Sequence, residues 1–110
     1  MKVIERNIRE VFPGKFEELD ILDAKFTEIE SKLGFPPKKN YRCIAGTYDQ
    51  NTVILERKWE SLAKMEEAFT EFLSDPEVKE LLREIPKIIK SQKRELYTPH
   101  AASLIEIFNE

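Results

Sequence analysis

The sequence predicts an α+β domain with a ferredoxin-like βαββαβ topology and an antiparallel sheet. Three observations lead there: strand-like and helical periodicities alternate, a hairpin follows the first helix, and no linker divides the segments. With 110 residues the chain has the size of one domain with a modest core. We expect this domain to span residues 1–99 and a C-terminal tail to span residues 100–110.

The first strand is expected from Val3 to Phe12, where polar and apolar side chains alternate. Ile4 and Ile8 share one of its faces. The other face carries polar side chains, namely Glu5, Asn7 and Arg9. Pro13 and Gly14 then end the strand, because this pair favours a turn.

The first helix is predicted by an apolar stripe with a spacing of three or four residues. Its members are Phe16, Leu19, Leu22, Phe26, Ile29 and Leu33. Gly34 can adopt the left-handed conformation that ends a helix, and Pro36 and Pro37 prevent its continuation.

A hairpin is predicted next, with strand two at Tyr41–Tyr48 and strand three at Thr52–Trp59. The polar residues 49–51 form its turn. On strand three, Val53, Leu55 and Trp59 share one face.

The second half of the chain predicts two helices and a last strand. Ser61 is a suitable N-cap for a second helix. The apolar stripe of that helix consists of Leu62, Met65, Phe69 and Phe72. Asp75 and Pro76 predict the start of a third, shorter helix, which Pro86 ends or kinks. Strand four is expected at Gln92–Tyr97.

Helices on one face of such a sheet leave the other face open. A four-stranded sheet that offers isoleucine and aromatic side chains to water would form a large apolar patch, which monomers rarely tolerate. We therefore expect two copies to pair face to face as a homodimer, a dimeric α/β barrel. The tail carries apolar residues, Leu104, Ile105, Ile107 and Phe108, and is expected to pack on the dimer.

Composition excludes several classes of partner. The chain has 18 basic and 21 acidic residues, and this near balance favours neither nucleic acid nor an anionic membrane. No apolar run reaches the roughly 20 residues that a membrane span needs. Charge appears early after Met1, unlike in a signal peptide, so we expect a cytoplasmic protein. Cys43 is the only cysteine; a small buried hydrophobe is the favoured interpretation and a reactive thiol the alternative.

Common catalytic constellations are missing from the sequence. A single histidine and a single cysteine leave too few ligands for a zinc site, and no Ser-His-Asp arrangement can be built. The three glycines are scattered, so no phosphate-binding loop is present. We therefore expect no metal and no cofactor.

Polar and aromatic residues on the strands are the remaining candidates for binding a small polar or aromatic molecule in a cavity beside the sheet, with no defined catalysis. Six are singled out as candidate ligand-binding residues: Asn7, Arg42, Tyr48, Glu56, Trp59 and Tyr97. The alternative is structural, because cross-strand ion pairs and core packing of Trp59 would use the same residues.

Several short motifs together resemble the NIPSNAP proteins, within the dimeric α/β-barrel superfamily that also holds antibiotic-biosynthesis-monooxygenase-like domains. They are Glu5-Arg6 followed by Pro13-Gly14-Lys15, then Trp59-Glu60-Ser61-Leu62, Ser74-Asp75-Pro76 and Leu96-Tyr97-Thr98-Pro99. The resemblance covers the chain to about residue 99. It implies a homodimer with a cavity beside the sheet and no settled catalytic activity.

The resemblance also implies alternative functions. One branch of the superfamily degrades haem with an Asn, a Trp and a haem-ligating His; Asn7 and Trp59 match the first two. Leu82 or Arg83 stands where the ligand would be, and His100 follows the last strand, so no haem is expected. Other relatives are cofactor-independent monooxygenases or isomerases acting on aromatic substrates, which keeps that activity as the alternative function. A scaffold whose tail engages another protein is a third possibility.

Overall fold

The computed structural model describes residues 2–100, which form a four-stranded antiparallel sheet with helices. The elements in chain order are β1 (Val3–Val11), α1 (Phe16–Lys32), β2 (Lys38–Arg42), β3 (Thr52–Trp59), α2 (Leu62–Ser74), α3 (Pro76–Leu82), α4 (Ile85–Ile88) and β4 (Ile89–Tyr97). The strand order is β2-β3-β1-β4, so β1 and β3 are the central strands. This arrangement confirms the predicted α+β class with ferredoxin-like topology.

The register of the central strands determines which side chains meet beneath the helices. Glu5 pairs with Arg57, and Asn7 pairs with Leu55 on one side and Arg94 on the other. Because side chains alternate along a strand, β1 directs five of its residues to the helical side. These are Val3, Glu5, Asn7, Arg9 and Val11. The predicted separation of Ile4 and Ile8 from the polar set is thus confirmed.

Aromatic residues hold the helices on the sheet. Phe35, Trp59, Phe69 and Phe72 form a chain of five ring contacts with centroids 5.1 to 6.1 Å apart, all of them tilted or edge-on. Edge-on and tilted pairs suit the ring quadrupole and add about 0.5–1.5 kcal/mol each to the burial energy. Trp59 and Phe72 are 3% and 7% exposed, so this cluster fixes α2 against β3.

The predicted helix boundaries follow local chemistry. The α1 helix is followed by Gly34, whose φ of 80° is the left-handed conformation expected after a helix end. Ser61 accepts a hydrogen bond from the backbone N–H of Lys64, and Asp75 accepts from the N–H groups of Glu77 and Val78. Both residues are therefore N-caps, as the sequence indicates.

Strand two differs from its prediction. It covers Lys38–Arg42, whereas Tyr41–Tyr48 was expected, and residues 43–51 form a loop. Arg42 pairs with Val53 near the start of β3, so the residues after it have no strand opposite them. Cys43 lies half-buried in this loop rather than in the core, and its thiol contacts the carbonyl oxygen of Tyr48 at 3.0 Å.

The chain between α2 and the last strand also differs in detail. The α3 helix ends before Pro86, which lies in the first turn of the separate helix α4, where a missing N–H is tolerated. Strand β4 begins at Ile89, three residues earlier than expected, and pairs with β1 as far as Tyr97.

The open face of the sheet is less apolar than the sequence suggests. Ile8 and Ile54 are only 5% and 9% exposed within the single chain. Arg6 and Glu56 form an ion pair on this face at 3.7 Å, and loop residues 47–49 share a surface depression with Ile8. Long charged side chains and the loop thus cover the isoleucines, and Tyr41 and Tyr97 are left about half exposed. The homodimer stays a prediction.

Two further expectations concern membrane-spanning helices and the C-terminal tail. Among residues 2–100, no helix is both long and apolar enough to cross a membrane. The apolar tail residues 101–110 lie outside the described residues, so their packing on the dimer stays a prediction.

Candidate functional site

A cavity of about 110 Å³ lies between the sheet and the helices. Its apolar wall is contributed by β3, β4 and all four helices: Leu19, Leu22, Phe26, Leu55, Phe69, Phe72, Leu82, Ile85 and Ile89. Its polar wall contains three carboxylates, four cationic side chains and two amides: Glu5, Asp23, Glu30, Arg9, Lys38, Arg57, Arg94, Asn7 and Gln92. Such a density of charge beneath helices is unusual, because buried charge is costly unless it is paired.

Glu5 forms the first group of contacts in this wall. Its side chain is 1% exposed, and its Oε1 accepts a hydrogen bond of 2.9 Å from the indole Nε1 of Trp59. Its Oε2 lies 3.3 Å from Nε of Arg94, and Nη1 of Arg57 lies 3.9 Å from Oε1. One neutral donor and two cations therefore stabilise this buried carboxylate.

Glu30 forms the second group, at the end of the cavity near β2. Its Oε1 accepts hydrogen bonds from Nη2 of Arg57 and, at 3.1 Å, from Nζ of Lys38. The side chains of Arg57 and Lys38 are only 4% and 9% exposed. One carboxylate oxygen thus serves two buried cations.

Arg9 forms the third group, on β1 beneath α1. Its Nη1 donates to both oxygens of Asp23, at 2.8 and 3.1 Å, and its Nη2 donates to Oδ1 of Asn40 at 3.2 Å. One guanidinium nitrogen thus contacts both carboxylate oxygens, and the second nitrogen bonds to Asn40, so the two partners together fix the orientation of the guanidinium plane.

Three polar groups on the cavity wall have no partner among residues 2–100. The Nε atoms of Arg9 and Arg57 are buried and bond to no described acceptor. The side-chain amide of Asn7, which lies between Glu5 and Arg9 along β1, forms no hydrogen bond with any described residue. The two Nε atoms have almost no accessible surface, so of these three groups only the Asn7 amide can bond to a molecule in the cavity.

The structure brings some of the sequence-predicted site residues together and separates others. Asn7 lines the cavity. Trp59 is not among its lining residues; it hydrogen-bonds the wall residue Glu5 and lines a separate surface groove of about 410 Å³. Arg42 lies outside the cavity wall; its guanidinium stacks 3.9 Å from the ring centre of Phe16 and donates to a backbone carbonyl oxygen.

The other three candidates lie on the open face of the sheet. Glu56 pairs there with Arg6, and Tyr48 belongs to the loop that lies beside Ile8. The Tyr97 hydroxyl donates a 2.6 Å hydrogen bond to Glu95, and this bond is the main cause that raises the pKa of Tyr97 above its ordinary value of 10.0. Whether these residues bind a ligand stays a prediction.

Two wall residues on α1 were not among the candidates. Asp23 and Glu30 are seven residues apart and flank Phe26 of the apolar stripe, so all three lie on the buried side of α1. Both acidic residues lie on the apolar stripe of α1, and this signal could have identified them. A charge on the buried side of a helix needs a partner in the core.

The cavity adjoins two surface grooves. One, of about 480 Å³, shares Glu30, Lys38 and Arg57 with it. The other, of about 370 Å³, shares Phe69 and Arg94, whose guanidinium lies 4.6 Å from the Phe69 ring centre. Within residues 2–100 no cluster of three or more potential ligands could hold a metal ion.

No family model matches the chain, and no curated protein matches it. Several solved structures match it. A NIPSNAP family protein from Agrobacterium tumefaciens str. C58 has a TM-score of 0.76 and 17% identity over 92% of this chain and 95% of its own. An uncharacterized NIPSNAP domain protein from Burkholderia xenovorans has a TM-score of 0.76 and 17% identity over 90% and 95%.

A third similar structure is SnoaB, a cofactor-independent oxygenase from Streptomyces nogalater. Its TM-score is 0.68 at 16% identity, over 90% of this chain and 93% of its own. At such identities the likeness establishes the architecture. The chain therefore has the fold shared by NIPSNAP proteins and the oxygenase SnoaB, as its sequence motifs predict.

Proposed function

We propose that this chain binds a small polar molecule in the cavity between its sheet and its helices, with no defined catalysis. The observation that carries the proposal is the amide of Asn7, which lines the cavity and has no hydrogen-bonding partner among the described residues. An apolar wall with a few convergent polar groups is typical of sites for small ligands.

The volume limits the size of the ligand. The cavity measures about 110 Å³, whereas a cavity of about 150 Å³ accepts benzene in another protein. A molecule with only a few non-hydrogen atoms therefore fits the cavity without movement of its walls.

A cavity-filling variant tests the proposal. Leu55 is 5% exposed, lines the cavity and pairs with Asn7 across the sheet, so Leu55→Phe adds ring atoms to the space. Binding of acetamide, propionamide, acetate and propionate is measured by saturation-transfer NMR. We expect signals for wild type and for Ile21→Phe, an exposed control on α1, and none for Leu55→Phe. Equal signals in all three folded proteins would place binding outside the cavity.

A second candidate function is cofactor-independent oxygenation or isomerisation of an aromatic substrate. The likeness to SnoaB favours it. An aromatic substrate exceeds the volume of about 110 Å³, so its binding would require the cavity walls to move, for example at Glu30, Lys38 and Arg57, where the cavity meets the larger groove. Oxygen consumption with a naphthohydroquinone tests this function: turnover by wild type that Asn7→Leu abolishes supports it, and a rate equal to the protein-free rate contradicts it.

We also propose that the chain forms a homodimer through the open face of the sheet, with segment 100–110 packed on that dimer. The half-exposed Tyr41 and Tyr97 on this face support the proposal, because aromatic side chains are enriched at interfaces. A cytoplasmic location is proposed as well. It is supported by Cys43, a free thiol, which suits a reducing compartment.

A further inference from the structure

An apolar groove of about 370 Å³ follows α2 beside the edge strand β4. Its helix side is formed by apolar residues three or four positions apart: Leu62, Met65, Phe69 and Leu73. The end members, Leu62 and Leu73, are 49% and 53% exposed. An exposed apolar stripe of this length on a helix is typical of a surface that another segment covers.

The strand side of the groove is exposed as well. Arg94 and Leu96 pair with Asn7 and Glu5 of β1, so their side chains belong to the helical side of the sheet. They are nevertheless 48% and 46% exposed, because the described helices do not cover this part of β4. Arg94 lines the groove, where its guanidinium lies 4.6 Å from the ring centre of Phe69. The strip between α2 and β4 is therefore an uncovered surface of the helical layer.

We infer that segment 101–110 of the same chain occupies this groove. The segment carries four large apolar residues, Leu104, Ile105, Ile107 and Phe108, which lose contact with water when they pack on the stripe of α2. The inference specifies the surface on which the tail packs. That surface lies on the helical side, away from the open face proposed for the homodimer, and the inference does not depend on a ligand in the cavity.

The position at which the chain leaves the sheet supports this occupant. Tyr97 pairs with Ile4, and Trp59 pairs with Val3, so β4 and β3 end at the same end of the sheet. Helix α2 begins at Leu62, shortly after Trp59. The chain therefore leaves β4 at the end of the sheet where the groove along α2 starts.

The chain is also held at this end up to the beginning of the segment. The hydroxyl of Thr98 donates a 3.2 Å hydrogen bond to the carbonyl oxygen of Lys2, and Pro99 is buried. The apolar stripe of α2 rises about 17 Å along the helix, and residues 101–110 reach up to about 33 Å when extended. The segment is long enough to follow the whole stripe. A short tether also gives it a high effective concentration at the groove, which favours it over a separate partner.

Charge agrees with this occupant. Segment 101–110 contains Glu106 and Glu110 and no basic residue. The basic residue of the groove lining is Arg94, whose half-exposed guanidinium can form a charge-assisted hydrogen bond with Glu106. Glu66, the acidic residue of the lining, is exposed to water and needs no cation from the segment.

Hydrogen exchange of the full chain, followed by NMR, tests the inference. We expect the amides of residues 104–109 to exchange at least about tenfold more slowly than those of a free peptide of the same sequence. Leu73→Glu places a charge in the groove and should return these amides to nearly the peptide rates. Ile21→Glu, at a similarly exposed position on α1, is the matched control and should leave the protection unchanged. Since both positions are exposed, both variants should fold.

Isotope-filtered NOE measurements on a mixture of ¹³C-labelled and unlabelled chains identify which copy supplies the segment. We expect NOEs between the Phe108 ring and the Leu62 or Leu73 methyl groups within the labelled chain. NOEs that join these groups between two copies would overturn the inference, because the groove would then hold the partner's segment.

Two further outcomes would overturn it. Peptide-like exchange of residues 104–109 in folded wild type would show that the segment does not dock. Protection that Tyr41→Glu removes and Leu73→Glu leaves intact would place the segment at the open face, where Tyr41 lies. Protection that persists in Tyr41→Glu supports the groove, whether or not the chain is dimeric.

Discussion

The indole Nε1 of Trp59 donates a 2.9 Å hydrogen bond to Oε1 of Glu5, across 54 positions of sequence. Trp59 pairs with Val3 in the sheet, and Glu5 pairs with Arg57, so the two side chains are diagonal neighbours on β1 and β3. This contact gives the buried carboxylate a neutral donor and holds it against the cavity. Trp59 is therefore both a core residue and a support of the cavity wall.

Replacing Trp59 with Phe tests that support. We expect Trp59→Phe to lower the free energy of unfolding by about 1–3 kcal/mol, since it leaves a buried acceptor short of a donor and reduces packing with Phe35 and Phe69. Urea denaturation followed by circular dichroism gives the value. Tyr41→Phe, at a half-exposed position, is the control and should change stability by less than about 0.5 kcal/mol. An equal change in both variants would contradict the role of the bond.

The ion pair of Arg9 and Asp23 gives a second prediction. The side chains are 4% and 14% exposed and the bond is 2.8 Å long. Removing one partner leaves the other charge buried, so Asp23→Leu and Arg9→Met should each destabilise by about 3–5 kcal/mol. The double variant should be clearly more stable than the sum of the single effects predicts. Denaturant unfolding of all four proteins measures this coupling; additive losses would mean that the pair contributes nothing specific.

The sequence predicts the fold better than it predicts the site, and the central strands explain why. The alternation of Ile4 and Ile8 with Glu5, Asn7 and Arg9 is a local signal, and β1 bears it out. Ser61 and Asp75 are local caps, and both are confirmed. The bounds of strand two were predicted wrongly because they depend on where β3 begins opposite it. Strand pairing sets these bounds, and local composition does not reveal it.

The site was harder because its wall is assembled from distant elements. Asn7 was a candidate and lines the cavity, but Arg57 and Glu30 come from β3 and α1 and meet only in the folded chain. The sequence does not show which face of a strand packs against the helices. Glu56 and Tyr97 were therefore predicted as ligand-binding residues although they lie on the open face. The face of β3 that packs against the helices determines that Arg57 lines the cavity and that its neighbour Glu56 lies on the open face.

Tyr97 gives a prediction on pH dependence. Its hydrogen bond to Glu95 stabilises the neutral phenol, and this raises the pKa of Tyr97 above 10.0. The bond therefore contributes stability fully below the ordinary tyrosine pKa, and the contribution is lost as pH rises through the raised pKa. Glu95→Ala should lower the pKa of Tyr97, which absorbance at 295 nm follows between pH 8 and pH 12. Glu80→Ala, at an exposed residue of α3, should leave the titration unchanged.

The proposed dimer leads to the last prediction. Tyr41 on β2 is 47% exposed and lies on the open face of the sheet, whereas Ile21 is 54% exposed on α1. A charge buried in an interface without a partner is costly. Tyr41→Glu should therefore shift the protein from dimer to monomer in sedimentation velocity at micromolar concentration, while Ile21→Glu should stay dimeric. Removal of residues 100–110 should weaken the dimer if the tail packs on it. A wild-type protein that sediments as a folded monomer would refute the pairing, and the coverage of Ile8 and Ile54 within one chain shows how such a monomer could stay soluble.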